Sequence, residues 1–445
     1  MRHFLSNFHR KNDKGELFYY GALSFGIRVL GFIVSYLFVL LITRNYGTDV
    51  WGSFSLSLTL LQISSLILLL GVNVSVIKYY AGPLNRLGMY RRIFIFLIPF
   101  ILCVSLLGAL FSNEFSLFFK DGQKHYPFIK WMLIGILPYS LTRINAGIFR
   151  GLKNYLVSNF LETLGRFLIG GIIIAFLSLL FPSNPLLIVF GFVLGLIIVA
   201  IGSTLSLLPS LKYKDSNICP SNREILAISL PIMVSLLAKQ ALVWVNTIMG
   251  GFYLSSAELG IFDICYRIST FSSISLFAVN SIATTQIAKA YSNNDNNKLI
   301  RIIHRSNKLI SIIGIPIIVG LIFCSDYILY YFDPGIKNYK MVLIIILGGE
   351  VFNCLTGVNS SFMLMTNLQK PFQNISALIL VFNFLIGLII IPIYGIYALA
   401  VMSLLANLLK NIICTLYTFK RTGILTFYFP FIKRDWLIKS SNNAT

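Results

Sequence analysis

Residues 186–208 read LLIVFGFVLGLIIVAIGSTLSLL, 23 positions without one charged side chain. A bilayer core takes about 20 apolar residues per helix, so this stretch spans a membrane once as a helix. The rest of the chain repeats the pattern. Eleven further apolar runs lie at 20–42, 52–80, 93–112, 128–149, 159–181, 225–250, 260–286, 307–329, 340–365, 374–391 and 396–419. Pro99, Pro138, Pro231 and Pro316 fall inside runs and predict kinks, which membrane helices tolerate because neighbours re-satisfy the freed backbone groups. Only 11% of the 445 residues are charged, against about a quarter in a soluble domain. The surplus apolar surface must face lipid. The expected fold is an all-α integral membrane protein of about twelve transmembrane helices.

A net charge of +21 first suggests nucleic acid, but the basic residues sit in short connectors and form no basic helix or aromatic-basic module. No nucleic-acid partner is expected. Counted by connector, 22 Lys and Arg fall on one side of the membrane, while the other side has Arg44, Lys120, Lys124 and Lys337. The positive-inside rule then places both termini in the cytoplasm. The basic N-terminus runs directly into a long apolar segment and reads as a retained first helix. The longest connector on the charge-poor side is 113–127, too short for a folded catalytic or nucleotide-binding domain. No phosphate-loop motif occurs, so an ATP motor would be a separate subunit. The six cysteines are scattered and the four histidines do not cluster, which leaves no zinc, haem or dithiol pattern.

The chain repeats at an offset of 208. The segment Leu41–Phe54, leaving the first run and entering the second, matches Met249–Phe262, leaving the seventh and entering the eighth; Gly52 aligns with Gly260 and Phe54 with Phe262. Each connector is short, carries one acid before its glycine and lies on the charge-poor side. This divides the chain into an N-terminal six-helix lobe (1–208), a cytoplasmic linker (209–224), a C-terminal six-helix lobe (225–419) and a basic cytoplasmic tail (420–445). Six helices per lobe give both the same orientation, so the pseudo-symmetry axis runs along the membrane normal, with the substrate between the lobes.

A charge at mid-membrane costs at least about 2.5–3.5 kcal/mol, so each one needs a reason. Glu162 and Arg166, and Asp263 and Arg267, are spaced i,i+4 with the acid first, the favourable order for a helical ion pair. Arg28, Lys239, Arg143 and Lys410 are cations without a partner on their own run, and Glu350 is a lone acid. Under the 208 offset Arg28 aligns with Leu236, one turn from Lys239. Each lobe thus places a cation on its first helix, facing the other lobe. Arg143 and Lys410 lie nearer the basic ends, where snorkelling competes with a place in the cavity. Gln62, Asn73, Asn145, Asn246, Asn280, Asn353 and Asn359 read first as bonds to neighbouring helices and second as contacts to a sugar.

Several motifs carry a resemblance over nearly the whole chain. They are Ile27-Arg28-Val29-Leu30-Gly31-Phe32, Thr43-Arg44-Asn45-Tyr46-Gly47 with Trp51-Gly52, Phe149-Arg150-Gly151-Leu152-Lys153, Met249–Phe262 with Tyr266-Arg267-Ile268, and Ile391–Ala400. In their order and spacing the chain resembles the polysaccharide (O-antigen repeat unit) flippases of the multidrug/oligosaccharidyl-lipid/polysaccharide exporter superfamily. The resemblance implies two pseudo-symmetric six-helix lobes around a central cationic cavity in a bacterial inner membrane. It implies alternating-access transfer of an undecaprenyl-diphosphate-linked oligosaccharide from the cytoplasmic to the periplasmic leaflet, with no chemistry and no cofactor. The cations offered to the diphosphate are Arg28, Lys239, Arg267 and Arg143. A proton or sodium gradient is the implied energy source, with Glu350, Asp263 and Glu162 as coupling candidates. A polysaccharide polymerase and a chain-length regulator are the implied partners, beside membrane lipids. Three alternatives stay open: a drug or cation exporter of the same superfamily, which would need an acidic cavity; a lipid II flippase; and a membrane polymerase, which would need a large outward loop.

Overall fold

The computed structural model describes residues 13–181, 184–212 and 219–428, which form helices and turns without a β-strand. The first half runs through α1 (Asp13–Tyr46), α2 (Thr48–Leu68), α3 (Val72–Tyr80), α4 (Arg86–Leu110), α5 (Ser112–Ser116), α6 (Gly122–Ile134), α7 (Ile136–Gly151), α8 (Tyr155–Asn159), α9 (Gly165–Leu180) and α10 (Leu186–Leu211). The second half runs through α11 (Asn222–Tyr253), α12 (Ser256–Ser269), α13 (Ile274–Ser292), α14 (Asn296–Phe323), α15 (Ser325–Phe332), α16 (Lys340–Thr356), α17 (Asn359–Met365), α18 (Gln369–Tyr394) and α19 (Ile396–Thr422). Most of the tail at 420–445 and part of the linker at 209–224 lie outside the described residues.

Among the described residues, ten spans are long and apolar enough to cross a membrane, and the α6–α7 pair, bent by 45°, makes an eleventh. The bend falls at Gly135, so Pro138 sits in the first turn of α7, where its missing N–H costs nothing. The remaining expected run, 260–286, is covered by α12 and α13, which a 3₁₀ turn at Thr270–Ser273 separates. Leu110, Leu179 and Phe323 are among the most exposed residues, at 75%, 82% and 78%. Large apolar side chains left this open require lipid around them. The chain is a multi-pass membrane protein.

Hydrophobic force cannot hold helices together inside lipid, so close packing of small residues has to do it. Helix α2 shows how. Residues 51–61 are buried without interruption, and its serines and threonines bond back to their own helix, as from Ser57 Oγ to the Ser53 carbonyl at 2.7 Å and from Thr59 Oγ1 to the Ser55 carbonyl at 2.9 Å. With those hydroxyls satisfied, the neighbours α12, α6 and α11 approach closely.

The tightest approach is between α2 and α12. A Cβ on Gly52 would overlap the Ser256 carbonyl oxygen, and one on Gly260 would overlap the Thr48 carbonyl oxygen. These pairs exchange under the 208 offset: 48 with 256 and 52 with 260. The contact is therefore reciprocal, as at a two-fold axis. Beside it the α5–α6 connector docks on the second half. The Lys120 N–H donates to the Gly251 carbonyl at 3.1 Å, and Phe119 stacks on Phe252 with centroids 5.1 Å apart. Asp121 Oδ2 accepts the Ser256 N–H at 2.7 Å and the Ser256 hydroxyl at 2.8 Å. Partial burial would raise the Asp121 carboxyl, but these two hydrogen bonds hold it below its ordinary value of 3.8. On the side of the basic connectors the halves meet again. Gly71, at φ +79°, fits against the Ser229 carbonyl, where no side chain would fit, and the Ser75 and Ser229 hydroxyls lie 2.6 Å apart.

These contacts can be probed by substitution. Gly260→Val and Gly52→Val should each cost about 1–3 kcal/mol of stability through overpacking, read as a lowered melting temperature in detergent. Gly320→Val, where a Cβ meets nothing within 4 Å, should be near neutral; equal losses at all three would refute the close approach. Asp121→Ala removes hydrogen bonds to a charged group, typically about 1.5–3 kcal/mol. Spin-label distances between the α5–α6 connector and α12 should therefore lengthen at neutral pH. Because the Asp121 carboxyl is depressed, its contribution is complete above the ordinary carboxylate range and is lost as pH falls through that range and below. Wild type should loosen only on such acidification, and Asp121→Asn should show no such pH dependence.

Candidate functional site

Between the two inter-half contacts lies a cavity of ≈ 230 Å³. Gln62, Ser65 and Leu66 of α2, Leu69 just after it and Asn73 of α3 form one wall, Tyr139 and Arg143 of α7 with Arg166 of α9 a second, and Leu236, Lys239, Gln240 and Trp244 of α11 the third. Among the described residues three cations line it and no acid does. The walls are held by hydrogen bonds between helices. The Trp244 indole N–H donates to Gln62 Oε1 at 3.3 Å, joining the halves, and the Ser65 and Ser140 hydroxyls lie 2.7 Å apart.

Arg166 reaches this cavity because its expected pairing does not form. Phe160–Leu164 is a single π-helical turn. A π turn inserts an extra residue into the helix and so rotates the residues after it, and the i,i+4 relation of Glu162 to Arg166 is lost. Glu162 instead pairs with Arg150 at 2.5 Å. The Arg166 guanidinium donates from Nη1 to the Tyr139 hydroxyl at 3.0 Å and lies over the Tyr139 and Phe167 rings, 5.7 and 4.7 Å from their centroids. Its Nε is buried without a hydrogen-bond partner among the described residues. Neither ring nor hydroxyl neutralises its charge.

The sequence candidates divide between this cavity and other places. Arg28 does not line the cavity, although its repeat counterpart Leu236 does. Helix α1 packs on α8, the π turn and α9, so Arg28 is exposed and donates to Asn159 Oδ1 from Nε and Nη2, each at 3.4 Å. Arg267 pairs with Asp263 at 2.7 Å, as the i,i+4 spacing predicts. Its Nη1 donates to Ser35 at 3.2 Å, and its guanidinium lies 5.0 Å from the Trp51 ring centroid. The Trp51 indole in turn donates to Asp263 at 2.9 Å. This cluster ties α1, α2 and α12 together. Lys239 and Arg143 line the cavity. Glu350 is 4% exposed and sits in a separate polar nest of the second half. It accepts from Ser273 and Asn353 at 3.1 Å each and from Asn407 at 3.3 Å, and Asn407 also accepts from Lys410 at 3.4 Å.

Most intramembrane amides join helices. Asn145 donates to Ser203 at 2.9 Å, Asn246 to Ser403 at 2.8 Å and Asn359 to Thr415 at 3.2 Å. Gln62 and Asn73 are the two of the sequence set that reach the cavity.

This architecture is that of a superfamily of membrane transporters. The inward-facing form of a multidrug resistance MATE family transporter superposes with a TM-score of 0.69 at 13% identity, covering 91% of this chain and 98% of that one. The lipid II flippase MurJ, in an inward closed conformation, also gives 0.69, at 17% identity over 90% of this chain and 87% of MurJ. In sequence, residues 21–285 match the polysaccharide biosynthesis protein family, and residues 231–389 match the MatE family. The probable flippase AglR of Haloferax volcanii is 23% identical over 173 residues, 38% of this chain and 36% of AglR. The match thus spans about a third of that relative's length. The chain belongs to the polysaccharide biosynthesis protein family of the multidrug/oligosaccharidyl-lipid/polysaccharide exporter superfamily.

The pairing at the π turn can be checked by a double-mutant cycle. Arg150→Ala with Glu162→Ala should show a coupling of about 0.5–1 kcal/mol, the upper range for partly exposed pairs, in thermal or denaturant unfolding. Arg166→Ala with Glu162→Ala should be additive. Coupling in the second cycle and none in the first would restore the i,i+4 pair.

Proposed function

We propose that this protein flips an undecaprenyl-diphosphate-linked oligosaccharide, an O-antigen or related repeat unit, from the cytoplasmic to the periplasmic leaflet of a bacterial inner membrane. The observation that carries this reading is the composition of the cavity: Arg143, Arg166 and Lys239 without an acid. Such a lining attracts an anion and repels a cation, which disfavours a cation exporter. Arginine forks match phosphate oxygens two at a time, while lysine acts as a mobile point charge. The cavity is smaller than the ~300–1,000 Å³ of ordinary ligand pockets. It fits the diphosphate, and the glycan needs the halves to part.

The basic connectors then face the cytoplasm, with both termini there. The halves 1–208 and 225–419 rock against each other, so the cavity opens to one leaflet at a time, and the polyprenyl tail stays in lipid. No bond is made or broken, so the protein acts as a transporter. An ion gradient, of protons or sodium, drives the cycle through Glu350, since Asp263 and Glu162 are engaged by arginines. A polymerase and a chain-length regulator act on the product.

The test is complementation of a strain lacking its own repeat-unit flippase. Lys239→Gln, Arg143→Gln and Arg166→Gln, each confirmed at wild-type abundance, should lower surface polysaccharide at least about tenfold, the scale of one lost charge-assisted hydrogen bond. Arg28→Gln should stay near wild type. Full activity in all three cavity variants would sink the proposal. Rescue of a strain lacking its lipid II flippase, without rescue of the first strain, would move the substrate to lipid II.

A further inference from the structure

A second concave site lies away from the central cavity, where α4 and α11 begin. It has a volume of ≈ 510 Å³ and is lined by Gly88, Arg91, Arg92, Ile95, Phe96 and Asn222. We propose that it binds the phosphate headgroup of an anionic glycerophospholipid from the surrounding leaflet.

The argument starts from depth. Both helix starts come after basic connectors, so Arg91 and Arg92 sit at the level of the lipid phosphates on that side. One turn further into the membrane, Ile95 is 73% exposed and Phe96 38%. The exposed face continues along α4 through Phe100, Leu106 and Leu110. A guanidinium pair above an open apolar face matches a phosphate above acyl chains. Gly88 contributes no side chain and so leaves the recess open, while its N–H is capped by Asn85 Oδ1 at 3.0 Å.

The charge is available. Among the described residues the lining holds no acid. Arg91 is exposed and makes no ion pair or hydrogen bond among the described residues. Arg92 spends one nitrogen, Nη1, on the carbonyls of Cys219 at 3.1 Å and Pro220, and its remaining N–H groups stay unbonded among the described residues. An arginine that merely snorkels reaches into open interfacial water. Here two arginines edge one recess. The lining also separates a plain phospholipid from a sugar-bearing lipid. A saccharide needs several directional partners, and Asn222 is the sole uncharged polar side chain present.

The site has a mechanical consequence. Arg92 links α4 to the segment 219–220 that leads into α11. A headgroup held by Arg91 and Arg92 would fix that segment, the described connection nearest the junction of the halves, at the membrane surface.

Native mass spectrometry of the full-length protein, released from nanodiscs of mixed phosphatidylglycerol and phosphatidylcholine, tests the assignment. Phosphatidylglycerol should be retained preferentially, and Arg91→Gln should lower its retention about fivefold, from roughly 1 kcal/mol per basic residue near a charged leaflet. Arg91→Gln leaves the Arg92 contacts in place, so it tests the site without releasing the 219–220 segment. Arg301→Gln, an exposed basic residue elsewhere on the same side, should retain lipid like wild type. Equal retention by wild type and Arg91→Gln overturns the proposal, as does an equal loss in Arg301→Gln. Undecaprenyl diphosphate displacing phosphatidylglycerol one for one, in an Arg91-dependent manner, would also overturn it and assign the recess to the lipid carrier. These readouts need no transport, so their failure is separable from failure of the flippase reading.

Discussion

Removing a charge from water is the term that organises this molecule. In the apolar slab each intramembrane Lys, Arg, Asp or Glu costs several kcal/mol unless a partner, a dipole or water meets it. The structure sorts its charges by that rule. Arg150 with Glu162 and Arg267 with Asp263 neutralise each other at 2.5 and 2.7 Å. Glu350 is surrounded by Ser273, Asn353 and Asn407. Arg143, Arg166 and Lys239 have no acid in their cavity. Arg143 and Arg166 are half-buried and Lys239 is exposed, and gathering three like charges is unfavourable unless water or a counter-anion screens them.

Much of this is legible in the sequence. Apolar run length locates the spans, because the bilayer imposes one length on every helix. The 208 offset pairs Gly52 with Gly260 on a weak residue match, and the structure shows why the pair is informative: each glycine makes room for the backbone of the other helix. Intramembrane Asn residues read as links between helices, and Asn145, Asn246 and Asn359 are such links.

The features hidden from the sequence depend on departures from the ideal helix. The i,i+4 rule presumes 3.6 residues per turn. The π turn at Phe160–Leu164 violates it, and one inserted residue moves Arg166 from an expected ion pair into the cavity and recruits Arg150 to Glu162. At Asp263 and Arg267 the helix is regular, and the same rule succeeds. The repeat offset fails differently at Arg28. It correctly points from Lys239 and Leu236 to one face of α11, but α1 packs on α8 and α9 and turns Arg28 toward Asn159. Repeats preserve backbone path more faithfully than the side-chain environment on each helix, so a cation in one half does not imply its counterpart in the other.

The two inter-half contacts differ in how many interactions support them. The α2–α12 crossing is backbone on backbone, reciprocal, and reinforced by Asp121 on Ser256 and Phe119 on Phe252. The contact below the cavity rests on Gly71 against the Ser229 carbonyl and one serine pair. A hydroxyl pair contributes only about 0.5–1.5 kcal/mol net, and water can replace it as the helices separate. The Gly71 contact also sets backbone against a missing Cβ, but one glycine makes it. The α2–α12 crossing uses two glycines reciprocally and is reinforced beside them, so the halves are held more firmly there than toward the basic connectors.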